Sequence, residues 1–323
     1  MTPQAKTDTL VTVFGGSGFL GRHVVRALAR RGYRIRVAVR RPELAGYLQP
    51  LGTVGQIHAV QANVRYANTV EAATRGARVL INLVGILFER GRQRFDAVQT
   101  LGAEAVALAA AQFGARVVHV SALGADENST ARYARSKAAG EKAVLAAVPS
   151  AVVMRPSIIF GPEDDFFNRF AALARVLPAL PLIGGGHTRF QPVFVGDVAA
   201  AIADTVDGKA KAGTIYELGG PEVRTFRELM EYVLATIERR RLLLPIPFSL
   251  ARLQAQFLQF LPKPPLTPDQ VELLRYDNVV SAAAEREGRT LRAFGIEPTA
   301  MEAVVPEYLW RFRKTGQFRG QMA

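Results

Sequence analysis

The chain has 323 residues, 49% of them apolar and 21% charged, enough for one large α/β domain and a smaller lobe, each with a core. It has no cysteine, which excludes disulfides, thiolate metal sites and cysteine nucleophiles; its four histidines (His23, His58, His119, His187) lack ligand spacing, so no metal is expected. The formal net charge of +13 suits an anionic membrane surface or an acidic partner, and because no aromatic platform or helix-turn-helix accompanies the scattered basic residues, no nucleic acid is expected.

The opening MTPQAKTDTL lacks the apolar core of a secretory signal, and no run approaches the roughly 18 apolar residues of a spanning helix. The expectation is a cytoplasmic protein, free or peripherally attached to the inner (cytoplasmic) membrane. LVTVFGG then predicts a buried strand ending in a glycine turn. GRHVVRALARRGY has helical spacing, with Val24, Val25, Leu28 and Ala29 apolar. RIRVAVR is a second strand, and QIHAVQANV, RVLINLVG, RVVHVSALG and SAVVMRPSIIFG are further ones. ANTVEAATRG, TLGAEAVALAAAQFG and RYARSKAAGEKAVLAAV are the helices between them. Strands alternating with helices imply an α/β fold: a doubly wound parallel sheet of the Rossmann type. After Gly161 the pattern loosens into RVLPALPLIGGG, then RFQPVFVGDVAAAIADTVD as strand and helix, TIYELGG as a strand, and TFRELMEYVLATIERRR as a Thr-capped helix. The expected domains are a dinucleotide-binding domain, 1–165, with 187–206 returning to it, and a smaller, partly interleaved carboxyl-terminal lobe of 166–186 and 207–323.

Chemistry begins at VFGGSGFLGR. Gly15, Gly18 and Gly21 recur every three residues, so the backbone through Ser17, Phe19 and Leu20 can approach a pyrophosphate at the start of a helix. NAD-binding folds place an acid about 20 residues on, against the adenosine 2′-hydroxyl. Here Arg40 stands 19 residues after Gly21, and Arg41 follows. A guanidinium pairs with a 2′-phosphate where an acid would repel it, so NADP(H) is preferred over NAD(H). Asn63 and Val64 end the third strand, where an amide can bond the adenine edge and a valine pack on its face. Leu83, Val84 and Gly85, in NLVG, end the fourth near the expected ribose. Tyr133 and Lys137 lie four apart on one helix face, where an ammonium lowers the pKa of a phenol and can also hold a ribose.

Together, the glycine loop, Arg40–Arg41, NLVG, the Tyr133–Lys137 pair and RPSIIFG resemble the short-chain dehydrogenase/reductase superfamily. QPVFVGDVA and YELGGPEVRTFRELM look like its extended and atypical branches. RYARSKAAGEKAV, RPSIIFGPEDDFFNRFA, LPLIGGGHTRFQPVFVGDVA and LPIPFSLARLQAQFLQFLP are similar, in order and spacing, to the NAD(P)H-binding accessory subunits of respiratory complex I (the alpha-subcomplex subunit nine type) and their bacterial relatives. That resemblance implies a tightly held NADPH and partnership with complex I subunits near the quinone-reducing arm. It also adds Pro156, Ser157 and Ile158 to the cofactor-binding residues.

Superfamily enzymes carry a Ser or Thr near the end of the fifth strand. The register VVHVSALGA puts Ala122 there, with Ser121 one residue before and expected to face away from the nicotinamide. A missing oxyanion donor costs orders of magnitude in rate. The expectation is therefore an accessory or assembly subunit with little or no turnover, in which Ser121, Tyr133 and Lys137 are relics of a catalytic site and still count among the cofactor-binding residues. The alternatives are a soluble NADP-dependent reductase, epimerase or dehydratase, or a membrane-associated reductase of quinone or isoprenoid metabolism. Asp164, Asp165 and Asn168 belong to a pocket mouth or to a solvated loop. The apolar PFSLARLQAQFLQFLP is either a core helix or, with Arg239–Arg241 upstream, a peripheral membrane contact over 245–265.

Overall fold

The structure, a computed structural model, describes residues 6–262 and 264–314. The leader reading of residues 1–5, position 263 of the proposed membrane segment and the basic chain end 315–323 lie outside the described residues.

Seven parallel strands form the central sheet: β1 (Leu10–Phe14), β2 (Arg34–Val39), β3 (Ile57–Gln61), β4 (Val79–Asn82), β5 (Arg116–Val120), β6 (Val152–Pro156) and, after four short strands elsewhere, β11 (Ile215–Leu218). Their order is β11-β6-β5-β4-β1-β2-β3. The order reverses between β1 and β4, which makes the carboxyl end of β1 the switch point where doubly wound folds take ligands. β1 is buried throughout because LVTVF offers only apolar groups and Thr12, whose hydroxyl donates to the Ala73 carbonyl at 2.9 Å. The crossovers are α1 (Phe19–Arg30), α2 (Ala67–Thr74), α3 (Leu101–Phe113), α4 (Arg132–Ala147) and, later, α6 (Val195–Val206). The expected Val24, Val25, Leu28 and Ala29 form the buried stripe of α1.

Much of the basic stretch after α1 is structural. Arg31 pairs with Asp204 at 2.8 Å and Asp207 at 2.6 Å, and the Tyr33 phenol donates to Asp207 at 2.6 Å. Arg36 donates to the Ala73 and Arg75 carbonyls at the end of α2, where the helix dipole favours a cation.

The chain forms two compact units. Among the described residues, the first comprises the chain up to Pro156 with Gly196–Leu218 and Ala282–Glu297 (α10, Ala282–Arg286); the second comprises Ser157–Val195, Gly219–Ser281 and the chain from Pro298. The division falls at 156/157 where 165 was expected; of the expected return, 187–206, residues 196–206 belong to the first unit, which runs on to Leu218, and 187–195 belong to the second. The cause is visible in SAVVMRPSIIFG, which is not one strand. Pro156, with no amide hydrogen, ends β6. Ser157 then donates to the Asn278 carbonyl and Oδ1 at 3.1 and 2.7 Å, and the Ile158 amide donates to that Oδ1 at 3.2 Å.

The second unit pairs β7 (Ile159–Phe160) with β10 (Val193–Phe194), β8 (Ala179–Ile183) with β13 (Leu242–Ile246), both parallel, and β9 (Arg189–Phe190) antiparallel to β12 (Arg224–Thr225). Its core includes Phe160, Phe167, Leu180, Leu182, Leu229, Met230 and Leu309, drawn partly from α5 (Phe167–Val176), α7 (Phe226–Thr236) and α11 (Met301–Leu309). Thr225 caps α7 as expected: its hydroxyl accepts from the Glu228 amide at 3.2 Å, and Glu228 accepts in return from the Thr225 amide at 2.6 Å. Asp164 is not solvated. It is buried, accepts from the Gly161 and Asn168 amides at 3.2 and 3.1 Å and from the Tyr308 hydroxyl, and its pKa is raised by burial. Asp165 is exposed and pairs with Arg169. α8 (Phe248–Leu258) packs with α9 (Pro268–Leu273) through small residues, Ala251 and Ala255, and leaves Leu250, Leu253 and Phe257 exposed.

Candidate functional site

The glycine loop folds back on itself at the end of β1. Gly15 has φ +79°, and its carbonyl accepts the Gly18 amide at 3.0 Å. A Cβ on Gly21 would lie 2.3 Å from the Gly15 oxygen, so only glycine lets α1 start this close to β1. Gly16, which the spacing argument overlooked, is also cramped: a Cβ there would lie 2.9 Å from Val37. Gly18 is exposed and precedes α1 with no side-chain cap, so its neighbourhood is backbone alone. Ser17, Phe19 and Leu20 are half-buried.

Arg40 and Arg41 follow β2 and are both exposed. Neither side chain has a hydrogen bond or ion pair among the described residues. Asn63 is half-buried, and its Oδ1 accepts the Arg65 amide at 3.2 Å. Val64 is placed differently from the expectation. It is 6% exposed and packs against Gly102 of α3 within the core, which leaves little side-chain surface for an adenine.

The fourth and fifth strands carry a buried polar chain. The Val84 amide donates to Asn82 Oδ1 at 3.1 Å, and Asn82 Nδ2 faces His119 Nδ1 at 3.3 Å. Because Oδ1 already takes an amide, Nδ2 is the end presented to the ring. His119 Nδ1 therefore accepts, and its proton lies on Nε2, which is buried without a partner among the described residues. Burial, then the charge of Lys137, pushes the His119 pKa down to about 3. Leu83 and Val84 are half-buried and Gly85 exposed. A Cβ on Gly85 would lie 3.3 Å from Lys137 Nζ, so the ammonium sits directly beneath that loop.

α4 presents Tyr133 and Lys137 on one face, as their spacing predicts, with Lys137 Nζ 6.0 Å from the Tyr133 ring centre. Tyr133 packs edge-on to Phe95 at 5.9 Å. Lys137 is buried and donates to the Val120 carbonyl at 3.2 Å. Burial pushes its pKa down to about 8, against the pull of Glu141. α4 lies close because Gly140 permits it: a Cβ there would meet the Gln99 carbonyl at 2.3 Å. Gln99 belongs to a π-helical turn, Asp96–Thr100, that no sequence signal announced.

Ser121 departs from the expectation. The sheet ladder continues through it, its amide donating to the Met154 carbonyl at 2.7 Å. By alternation it shares a face with His119 and Val117, and Val117 packs in the cluster that holds Val144 of α4. The hydroxyl therefore lies on the Tyr–Lys side of the sheet, is 4% exposed and has no hydrogen-bond partner among the described residues. Ala122 is half-buried. Pro156 is buried at the end of β6, Ser157 is engaged by Asn278, and Ile158 packs on the second unit's core. An open groove of about 560 Å³ lies beside α4, lined by Asp126, Glu127, Asn128, Glu141, Lys142 and Arg155 among others. None of the expected site residues lines it, and its Glu141 and Arg155 satisfy each other at 2.9 and 2.6 Å.

Comparison with known proteins agrees with this geometry. Residues 11–219 match the NAD dependent epimerase/dehydratase family. The chain is 36% identical, over 95% of its own length and 79% of the relative's, to NADH dehydrogenase (ubiquinone) 1 alpha subcomplex subunit 9, mitochondrial, of Arabidopsis thaliana. It is 39% identical to a ceramide reductase of Caulobacter vibrioides, over 60% of this chain and 59% of that one. Among solved structures it is similar to the Escherichia coli NADPH-dependent quinone oxidoreductase QOR2 complexed with NADPH, with a TM-score of 0.71 at 19% identity, covering 93% of this chain and 99% of that one.

Proposed function

This chain belongs to the NAD dependent epimerase/dehydratase family, and from that premise we propose that it is an NADP(H)-holding accessory or assembly subunit of respiratory complex I. The observation that carries the reading is the likeness to the Arabidopsis subunit across 95% of the chain, which includes the carboxyl-terminal lobe as well as the nucleotide fold. Its partners are complex I subunits near the quinone-reducing arm. It sits on the cytoplasmic face of the inner membrane, in contact through 245–265; no helix among the described residues is long and apolar enough to cross a membrane. Leu253, Phe257 and Phe260, 53%, 71% and 83% exposed, support that contact.

The residues present fit a dinucleotide. Gly15 and Gly18 keep the loop backbone clear for the pyrophosphate, and Gly21 lets α1 begin close enough to present its amides to it. Arg40 and Arg41, exposed and unpaired among the described residues, take the adenosine 2′-phosphate, which favours NADP(H) over NAD(H). Asn63 bonds the adenine edge. Leu83, Val84, Gly85 and the buried Lys137 hold the nicotinamide ribose. Bound NADP(H) would supply a hydride; Tyr133 is the group placed to move a proton, and Lys137 to steady it.

Ser121 favours a second reading. Its hydroxyl on the Tyr–Lys side, unpartnered among the described residues, together with the ceramide reductase likeness supports a membrane-associated reductase. Turnover separates the two. A subunit retains its nucleotide through purification, exchanges it slowly and oxidises no NADPH with carbonyl substrates, and Ser121→Ala changes it little. NADPH oxidation abolished by Tyr133→Phe selects the reductase.

A further inference from the structure

Arg40 and Arg41 alone are a poor anion site. Both are exposed, and an unrestrained arginine loses rotamer freedom when it captures a phosphate. Their position must come from the backbone that carries them. Pro42 fixes φ immediately after Arg41 and begins a 3-10 segment, Pro42–Leu51. The Leu44 amide donates to the Arg41 carbonyl at 3.2 Å, and Ala45 and Leu48 anchor the segment's inner face at 1% exposure each.

The outer face is tied by Tyr47. Its phenol donates to the Ser17 carbonyl, inside the glycine loop, at 2.6 Å. The guanidinium of Arg22, in the first turn of α1, lies 5.2 Å from its ring centre. Tyr47 is 47% exposed, so water could satisfy this hydroxyl equally well. The bond adds little net stability and much geometry: it joins the loop that approaches the pyrophosphate to the segment that carries the two arginines.

We infer that Tyr47 is a positioning residue for nucleotide selectivity: by tying the Arg40–Arg41 segment to Ser17, it sets the arginines where the 2′-phosphate of a bound NADP(H) arrives. The inference rests on the NADP(H) reading above. The test is isothermal titration with NADPH and with NADH of the full chain stripped of copurified nucleotide, for wild type, Tyr47→Phe and the double variant Arg40→Ala/Arg41→Ala. Tyr47→Phe keeps the ring and its stack on Arg22. It should cut the preference for NADPH about five- to tenfold while changing NADH affinity less than about twofold. The double variant should abolish the preference. Equal loss for both nucleotides, or an unchanged ratio in Tyr47→Phe beside a collapsed ratio in the double variant, overturns the role of Tyr47 and leaves the NADP(H) reading standing. A wild type with no preference overturns that reading and this inference with it.

Discussion

Two glycines three residues apart in the same loop should fail in different ways when replaced by alanine. A Cβ on Gly21 would lie 2.3 Å from the Gly15 oxygen and 2.6 Å from the Gly16 carbonyl carbon, against an ordinary contact of 3.4 Å or more. The overlap of about 1 Å is with backbone on both sides, so α1 must move off β1. That motion pulls on Val24, Val25 and Leu28, all fully buried. Overpacking of this kind costs about 1–3 kcal/mol, and the upper end applies because no side chain can turn aside. On Gly18 the new methyl would meet only the Gly15 oxygen, at 3.3 Å, and otherwise points outward. Gly18→Ala should therefore change the stability of the nucleotide-free protein by less than about 1 kcal/mol. It should still weaken NADPH binding about tenfold or more, because the methyl stands where backbone meets pyrophosphate. Urea unfolding without nucleotide, paired with NADPH titration, separates the two effects. Equal destabilisation by both variants, or a fully stable Gly21→Ala, would refute the reasoning.

His119 stays neutral in the folded protein down to about pH 3, whereas an unfolded histidine protonates near 6.5. The unfolded state binds the extra proton between those values, so stability falls as pH drops through that window; His119→Gln should flatten that part of the acid unfolding curve, and an unaltered slope would count against it. Lys137 loses its proton near pH 8 when folded and near 10.5 when unfolded. Stability should therefore rise as pH climbs from 8 to 10.5, and urea midpoints should show the rise missing from Lys137→Met. Phe257 and Phe260 touch little of the protein, being 71% and 83% exposed. Replacing both with glutamate should leave stability within about 0.5 kcal/mol and release the protein from anionic vesicles in sedimentation; full retention on the vesicles contradicts the membrane contact.

The nucleotide half of the molecule was legible because its signals are local. An apolar run, a glycine turn and a stripe at Val24, Val25 and Leu28 define β1 and α1 without knowledge of their neighbours. What escaped depends on distant partners. Gly140 reads as a helix blemish until the Gln99 carbonyl is found against it. Val64 looked available for adenine because nothing in ANVRY reveals Gly102. The side on which Ser121 lies depends on how far the ladder with β6 runs, and the bond to Met154 extends that ladder by one residue, which VVHVSALGA does not reveal. SAVVMRPSIIFG passed for one strand because Asn278, which captures Ser157, lies 121 residues downstream. In α8 the spacing of Ala251 and Ala255 marked the buried face, yet small residues carry little weight beside Phe257 in a search for apolar stripes.

The central claim is membership of complex I, and co-migration tests it most directly. Membranes of the source cell would be solubilised in mild detergent and resolved on a native gel, and the band with NADH:quinone reductase activity would be probed for this chain and its nucleotide by mass spectrometry. The account predicts the chain in that band with about one NADP(H) per copy. A chain found only outside it, free and exchanging nucleotide readily, would contradict the account and return Tyr133 to the role of catalyst.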